Sequence, residues 1–170
     1  ELCAESRGGK PNEGDFSDLN RDAFLSRIQT GNHDAIILSW EQFASIPLRP
    51  ESETAFIWEE IEDLRQALQA ETEENGKNSV SAKEITKAMM RAQQRLATTQ
   101  AKIAARQGNA VTFEDLGITQ IFVDEADAYK NLEYATRQSR VKGLPNSTSQ
   151  RSRDMFNKTR LIQRAGGGVV

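Results

Sequence analysis

The chain has 170 residues, of which 37% are hydrophobic and 28% are charged, and its formal net charge at pH 7 is −3. This composition is typical of a soluble globular protein, and the net charge argues against a general nucleic-acid-binding protein. No apolar run approaches the ~20 residues that span a bilayer, and no signal-peptide pattern is present, so we expect a cytoplasmic protein with no membrane partner. The single cysteine, Cys3, excludes an internal disulfide, and neither Cys3 nor the single histidine, His33, is assigned a role.

The first predicted elements are a helix and a short strand. Phe24, Leu25 and Ile28 fall at helical spacing, which predicts a helix over Asp22–Gln29. The apolar run in Asp34–Ser39 predicts a parallel strand that ends in polar groups.

Residues 51–107 have the pattern of two helices. Apolar side chains recur at helical spacing on both sides of a break at Asn75–Ser79, and Ser81–Glu84 resembles a capping box that starts the second helix. The region holds eight basic and ten acidic residues, so its charge is nearly balanced. These features predict an antiparallel helical hairpin, inserted into a sheet domain, for which simple DNA binding is not expected.

The next elements predict a carboxylate site at the end of a strand. Thr112 and Asp115 have capping-box spacing, a short helix stops at Gly117, and an apolar run then ends in Asp124-Glu125-Ala126-Asp127. Ligands of open parallel sheets bind beyond the carboxyl ends of the strands, so we expect Ile121–Val123 to be buried and the acids to emerge at the ligand. This is a Walker B pattern.

The Walker B interpretation gives each acid a task. Asp124 would hold Mg²⁺ through its water shell, and Glu125 would orient the water that attacks the γ-phosphate of ATP. An acid pair after a strand is also found in solvated loops and helix caps. The motif alone leaves both interpretations open.

Charge is unevenly distributed after the hairpin. Residues 129–170 contain nine basic and two acidic residues, a net charge of +7, whereas residues 108–128 contain five acids and no base. An Mg²⁺ site beside a phosphate-contacting surface would have this pattern, although a solvated helix face would have it as well. The same region predicts a loop over residues 133–150, a helix over Arg151–Gln163 with Met155, Phe156, Thr159 and Ile162 on one side, and a strand at Val169–Val170.

Three stretches of the chain carry a family resemblance: Asp34–Phe43 with Ile46-Pro47-Leu48, Val111–Leu132, and Arg164–Val170. Together they resemble the helicase-like ATPase region of large phage- and plasmid-borne proteins. Those are superfamily 2 enzymes related to the Swi/Snf-type ATPases, and some are fused to adenine DNA methyltransferases. The resemblance covers about residues 20–50 and 108–170 and is most specific around residues 111–132.

The resemblance implies an α/β fold, a partial RecA-like parallel sheet of the P-loop NTPase type with an inserted antiparallel helical hairpin. Residues 1–50 and 108–170 would form the RecA-like lobe, and residues 51–107 the insertion. The implied ligands are ATP and Mg²⁺, and the implied partners are double-stranded DNA and the rest of a parent polypeptide, including a methyltransferase domain where one is fused. Ala126 would let the turn pack and Asp127 would relay the nucleotide state. DNA contacts would involve Ser39, Trp40, Gln42, Arg137 and Arg140, although Trp40 also suits a core position.

A phosphate-binding loop of the form Gly-x4-Gly-Lys-Ser/Thr does not occur in the 170 residues. We therefore expect a fragment of the first motor lobe that cannot hydrolyse ATP by itself. Two other interpretations stay open at this stage. One is a non-enzymatic DNA- or protein-binding module with a structural acidic strand end. The other is a nuclease or Mg²⁺-dependent phosphotransfer enzyme, for which Glu41 is the one nearby further carboxylate, because Asp34 lies at the wrong end of its strand.

Overall fold

The computed structural model describes residues 21–105, 111–129, 132 and 149–170. Its helices are α1 (Arg21–Thr30), α2 (Trp40–Ser45), α3 (Pro50–Asn75), α4 (Val80–Ala105) and α5 (Gln150–Arg164). Strands β1 (Gln120–Ile121) and β2 (Gly168–Val169) and two 3₁₀ helices, Phe113–Leu116 and Ala126–Tyr129, complete the elements. The described residues are therefore mostly helical with a small parallel sheet, which is loosely consistent with the expected α/β class. None of their helices is both long and apolar enough to cross a membrane.

The chain divides into two compact units, which we describe separately. The first comprises the described parts of residues 1–49, 108–123 and 158–170, and the second those of residues 50–107 and 124–157.

The core of the first unit is an apolar cluster drawn from several distant stretches of sequence. Helix α1 contributes Phe24, Leu25 and Ile28, as its helical spacing predicts. The other buried members are Ile46, Leu48, Phe113 and Ile162. One core thus joins α1, the segment after α2, the 3₁₀ helix before β1 and the end of α5.

The segment Asp34–Ser39 does not form the predicted strand. No secondary structure is assigned to residues 35–39, and the sheet seen in the described residues pairs β1 with β2 instead. Ile36 and Leu38 still pack against the core while Ile37 is exposed. The apolar pattern correctly indicates which side chains are buried, but a strand also needs a neighbouring backbone, which the pattern does not reveal.

The sheet is parallel, with Gln120 opposite Gly168 and Ile121 opposite Val169. The chain enters β2 through a close approach at Gly167, where a Cβ atom would lie 2.1 Å from the carbonyl oxygen of Thr119 and 2.6 Å from Cγ2 of Ile162. Only glycine fits there without a shift of the backbone. The expected strand at Val169–Val170 is confirmed, one residue earlier than predicted.

The predicted helical hairpin is confirmed as α3 and α4, joined by the turn at residues 76–79. Side-chain contacts between Glu60 and Arg95 and between Glu53 and Thr99 run in opposite sequence directions, so the helices are antiparallel. Ile57, Ile61, Leu64, Ile85, Ala92 and Leu96 form its buried seam. Its status as an insertion into a RecA-like lobe stays a prediction.

The cap of α4 lies two residues before its predicted position. Ser79, not Ser81, caps the helix, because its hydroxyl accepts a hydrogen bond from the Ala82 N–H at 3.0 Å. The same hydroxyl donates to the buried carboxylate of Glu71 at 2.8 Å. Ser79 therefore joins the end of α3 to the start of α4 while satisfying an otherwise unpaired N–H group.

Candidate functional site

The stretch with the Walker B pattern begins in the sheet of the first unit. β1 is shorter than expected, but pairing with the C-terminal strand continues beyond it: the Val170 N–H donates to the Ile121 carbonyl at 2.9 Å and the Val123 N–H donates to the Val170 carbonyl at 2.8 Å. Asp124 and Glu125 thus follow directly after the last residue bonded to the neighbouring strand, and both are exposed.

The expected burial of Ile121–Val123 is wrong at its centre. Ile121 and Val123 are half-buried, but Phe122 is 74% exposed. Its partner in the register, Val170, is 80% exposed. In the described residues the sheet has two strands, so an uninterrupted apolar run, which in a larger parallel sheet would be covered on both faces, here leaves one face open.

The acid pair has a tight local geometry. The Glu125 N–H donates to Oδ1 of Asp124 at 2.9 Å, and the Glu125 carbonyl accepts from the Ala128 N–H at 3.0 Å, which starts the 3₁₀ helix. Glu125 has a φ of 53°, a left-handed conformation that is uncommon for a residue with a side chain. Local strain of this kind is concentrated at functional sites.

The carboxylates of this segment suit an Mg²⁺ site in which the cation keeps most of its water ligands. Carboxylate oxygens are the ligands that this cation prefers, and it commonly binds through one or two carboxylates while keeping several waters. Across the described ranges, His, Cys, Asp and Glu do not gather in any group of three or more that could hold a metal ion. Asp124 therefore fits a water-mediated contact and not a closed protein cage.

Ser39 and Gln42 cap the N-terminus of helix α2. The Gln42 N–H donates to the Ser39 hydroxyl at 3.3 Å, and the Ser39 N–H donates to Oε1 of Gln42 at 2.8 Å, a reciprocal capping box that starts α2. Trp40, the first residue of α2, is half-buried. The DNA role of these three residues stays a prediction, and Arg137 and Arg140 lie outside the described residues.

Two of the stretches that carry the family resemblance are joined by hydrogen bonds. The Phe113 N–H donates to the Pro47 carbonyl at 2.8 Å, and the Arg49 N–H contacts both carboxylate oxygens of Glu114 at 3.0 and 3.1 Å. The Arg49 guanidinium also pairs with the carboxylate of Asp115. These bonds fix the chain after α2 against the 3₁₀ helix that precedes β1.

The predicted capping box at Thr112 and Asp115 is confirmed. Oδ2 of Asp115 accepts from the Thr112 hydroxyl at 2.6 Å and from its N–H at 2.9 Å. The hydrogen bond from the Thr112 hydroxyl, followed by those from Arg49 and from the Thr112 backbone, lowers the pKa of Asp115 from 3.8 to about 2. The hydrogen bonds that cap the 3₁₀ helix thus also stabilise the ionised form of the Asp115 carboxylate.

The burial of Lys158 differs most from what the sequence predicts. Lys158 is one of the nine basic residues over 129–170, for which the sequence offers a phosphate-contacting surface as one interpretation, yet its side chain is 0% exposed. Its Nζ donates to the Phe43 carbonyl at 2.6 Å and lies 4.4 Å from the Phe43 ring centroid and 5.6 Å from that of Phe113. Lys158 therefore binds α2 and the 3₁₀ helix from within the core and cannot contact a nucleic acid.

The other cations of α5 also interact with groups of the chain. Arg151, Arg153 and Arg160 are half-buried, and all four arginines of the helix take part in interactions with other groups of the chain. The predicted helix is confirmed, but its buried residues include Ser152, Asn157 and Lys158 beside Ile162, and Phe156 is exposed. The predicted stripe of Met155, Phe156, Thr159 and Ile162 is therefore only partly buried.

The chain matches a protein-family model. The model of a family described as "Probable helicase domain" matches residues 5–168. Neither the curated proteins nor the solved structures contain a match to the chain.

Proposed function

The chain belongs to the probable helicase domain family, and we propose that it forms part of a nucleic-acid-dependent ATPase of the superfamily 2 type. The family membership makes a helicase-like function the starting point. The finer proposal is that Asp124 and Glu125 are the Walker B acids of a RecA-like lobe and that ATP hydrolysis is coupled to translocation on, or unwinding of, double-stranded DNA.

The observation that carries the proposal is the exposed acid pair at the end of a parallel strand. The two acids are exposed immediately after the last paired residue, Val123, and Glu125 is held in a left-handed conformation. A structural acid pair does not require this conformation, which costs of order 1–3 kcal/mol.

Each acid has a task that its position supports. Asp124, whose Oδ1 already accepts the Glu125 N–H, is restrained in orientation and would accept hydrogen bonds from the waters of a bound cation. Glu125 would accept a proton from the attacking water and orient the water so that a lone pair of its oxygen points toward phosphorus. Bound Mg-ATP supplies the scissile phosphoanhydride and the charge neutralisation that phosphoryl transfer needs. At the start of the following 3₁₀ helix, Ala126 is proposed to let the turn pack and Asp127 to relay the state of the site to the remainder of the motor.

The test is the ATPase rate of the parent polypeptide with and without duplex DNA, comparing wild type with Glu125→Gln. We expect duplex DNA to stimulate turnover and the substitution to lower kcat about 100-fold or more, because an amide cannot accept the proton. Nucleotide binding should persist, because the amide preserves shape.

Glu73→Gln is the matched control. It makes the same chemical change at an exposed position of α3, where an amide can still accept the hydrogen bond from Gln69. Equal turnover in wild type, Glu125→Gln and Glu73→Gln would refute the catalytic assignment and favour the binding-module alternative.

A further inference from the structure

The hairpin is nearly neutral as a whole but strongly dipolar across its two helices. Helix α3 contains nine acidic residues and one basic residue, a net charge of −8, whereas α4 contains five basic residues and one acidic residue, a net charge of +4. A count over the complete hairpin hides this separation.

The cations of α4 lie together on one side of the helix. At 100° per residue, Lys83, Lys87, Arg91 and Lys102 fall within an arc of about 100°, away from the buried seam. All four are exposed, and so are Gln94 and Thr98 between them. Glu84, the one acidic residue of α4, is exposed at the edge of the same arc. We call these four cations the α4 basic face.

The cations of the α4 basic face are available for an outside partner. Within the part of the chain that the structure describes, none of the four forms an ion pair. The fifth cation of α4, Arg95, differs, because it pairs with Glu60 of α3 at 2.6 Å. The helix-to-helix ion pair is thus supplied by a residue outside the face.

The acidic side of the hairpin lies elsewhere. Glu51, Glu62 and Glu73 recur every eleven residues on α3, which places them on one side of that helix, and all three are exposed. A polyanion would be repelled by this side and attracted by the other, so the charge separation would also orient it.

We infer that the α4 basic face binds the phosphate backbone of a nucleic acid. The inference rests on the proposed function for the choice of a nucleic acid over another polyanion. The face extends about 28 Å from Lys83 to Lys102, comparable with the rise of about eight base pairs of B-DNA. Lysine and arginine side chains contact phosphates without reading sequence, as a motor that moves along its track requires.

The test compares two double variants that remove the same charge. Lys83→Gln/Lys87→Gln alters the α4 basic face, and Arg65→Gln/Lys77→Gln removes two exposed cations from α3 and from the turn. Glutamine is a good helix former, so both variants should keep their helices, which circular dichroism checks. Fluorescence anisotropy then measures the affinity of the chain for a labelled duplex and a labelled single strand, without nucleotide, between about 50 and 200 mM salt.

We expect the face variant to reduce the slope of log K against log salt concentration by about 1.8 for a duplex or about 1.4 for a single strand, because two phosphate contacts are lost. The control variant should keep the wild-type slope. The two probes show which form of nucleic acid occupies the face.

Equal slopes for the two variants would overturn the inference, and so would a wild-type chain that binds polyglutamate but neither nucleic acid. Because no nucleotide is present, this result does not depend on ATP hydrolysis. Failure of the Glu125→Gln test with a positive result here would leave a nucleic-acid-binding module without ATPase activity.

Discussion

Helices α4 and α5 each carry five basic residues, yet the structure uses them in opposite ways. On α5 the cations include a fully buried lysine, and its arginines are engaged with other groups of the chain. On α4 four of the five are exposed and form no ion pair in the described residues. The number of charges on a segment therefore does not indicate whether they can bind a phosphate, which depends on what the fold has already placed against them.

The largest expected effect concerns the buried cation of α5. Lys158→Ala should lower the free energy of unfolding by about 3 kcal/mol, because it removes a buried side chain and leaves a cavity beside the Phe43 and Phe113 rings. Lys158→Met should recover part of this loss by filling the volume, while the Phe43 carbonyl still loses its ammonium donor. Urea unfolding followed by circular dichroism measures both values.

Lys87→Ala on α4 is the matched control for that comparison. Because Lys87 is exposed and has no ion pair among the described residues, its replacement should change the free energy of unfolding by no more than about 0.5 kcal/mol. Similar losses for Lys158→Ala and Lys87→Ala would contradict the difference between the two helices.

An intermediate effect is expected for the Arg49–Asp115 pair, in which a half-exposed cation contacts a partly buried carboxylate. Asp115→Asn should lower the free energy of unfolding at pH 6 by on the order of 1 kcal/mol, allowing for solvent screening. Arg49→Gln keeps both Thr112 hydrogen bonds and should cost less.

The pH dependence gives the sign of this contribution. The pKa of Asp115 is lowered in the folded chain from 3.8 to about 2. Its stabilising contribution is therefore complete above the unfolded value and is lost as the pH falls through about 2. Urea unfolding between about pH 6 and 2 should show a steeper loss for wild type than for Asp115→Asn, and parallel profiles would refute the assignment.

The sequence predicts best where structure is determined locally. Helix α1, the hairpin, the break at Asn75–Ser79 and the Thr112–Asp115 cap follow from periodicity and from short-range hydrogen-bonding groups. The position of the acid pair after a strand can be predicted in the same way.

What the sequence does not reveal depends on long-range contacts. The strand predicted at Asp34–Ser39 does not form: Ile36 and Leu38 pack on the core, but among the described residues no neighbouring strand pairs with this segment. The burial of Lys158 depends on two rings that are 45 and 115 residues away in sequence, Phe113 and Phe43. The charge separation within the hairpin depends on where each helix begins and ends, because the opposite charges of α3 and α4 nearly cancel over the whole segment.

The most direct test of the contrast between α4 and α5 is lysine acetylation of the folded chain, with and without duplex DNA, followed by peptide mass spectrometry. We predict that Lys83, Lys87 and Lys102 react in the free chain and are protected by the duplex. Lys77, exposed in the turn and outside the α4 basic face, should react in both conditions, and buried Lys158 should react in neither. Modification of Lys158 in the native chain, or equal protection of Lys77 and Lys87, would contradict this account.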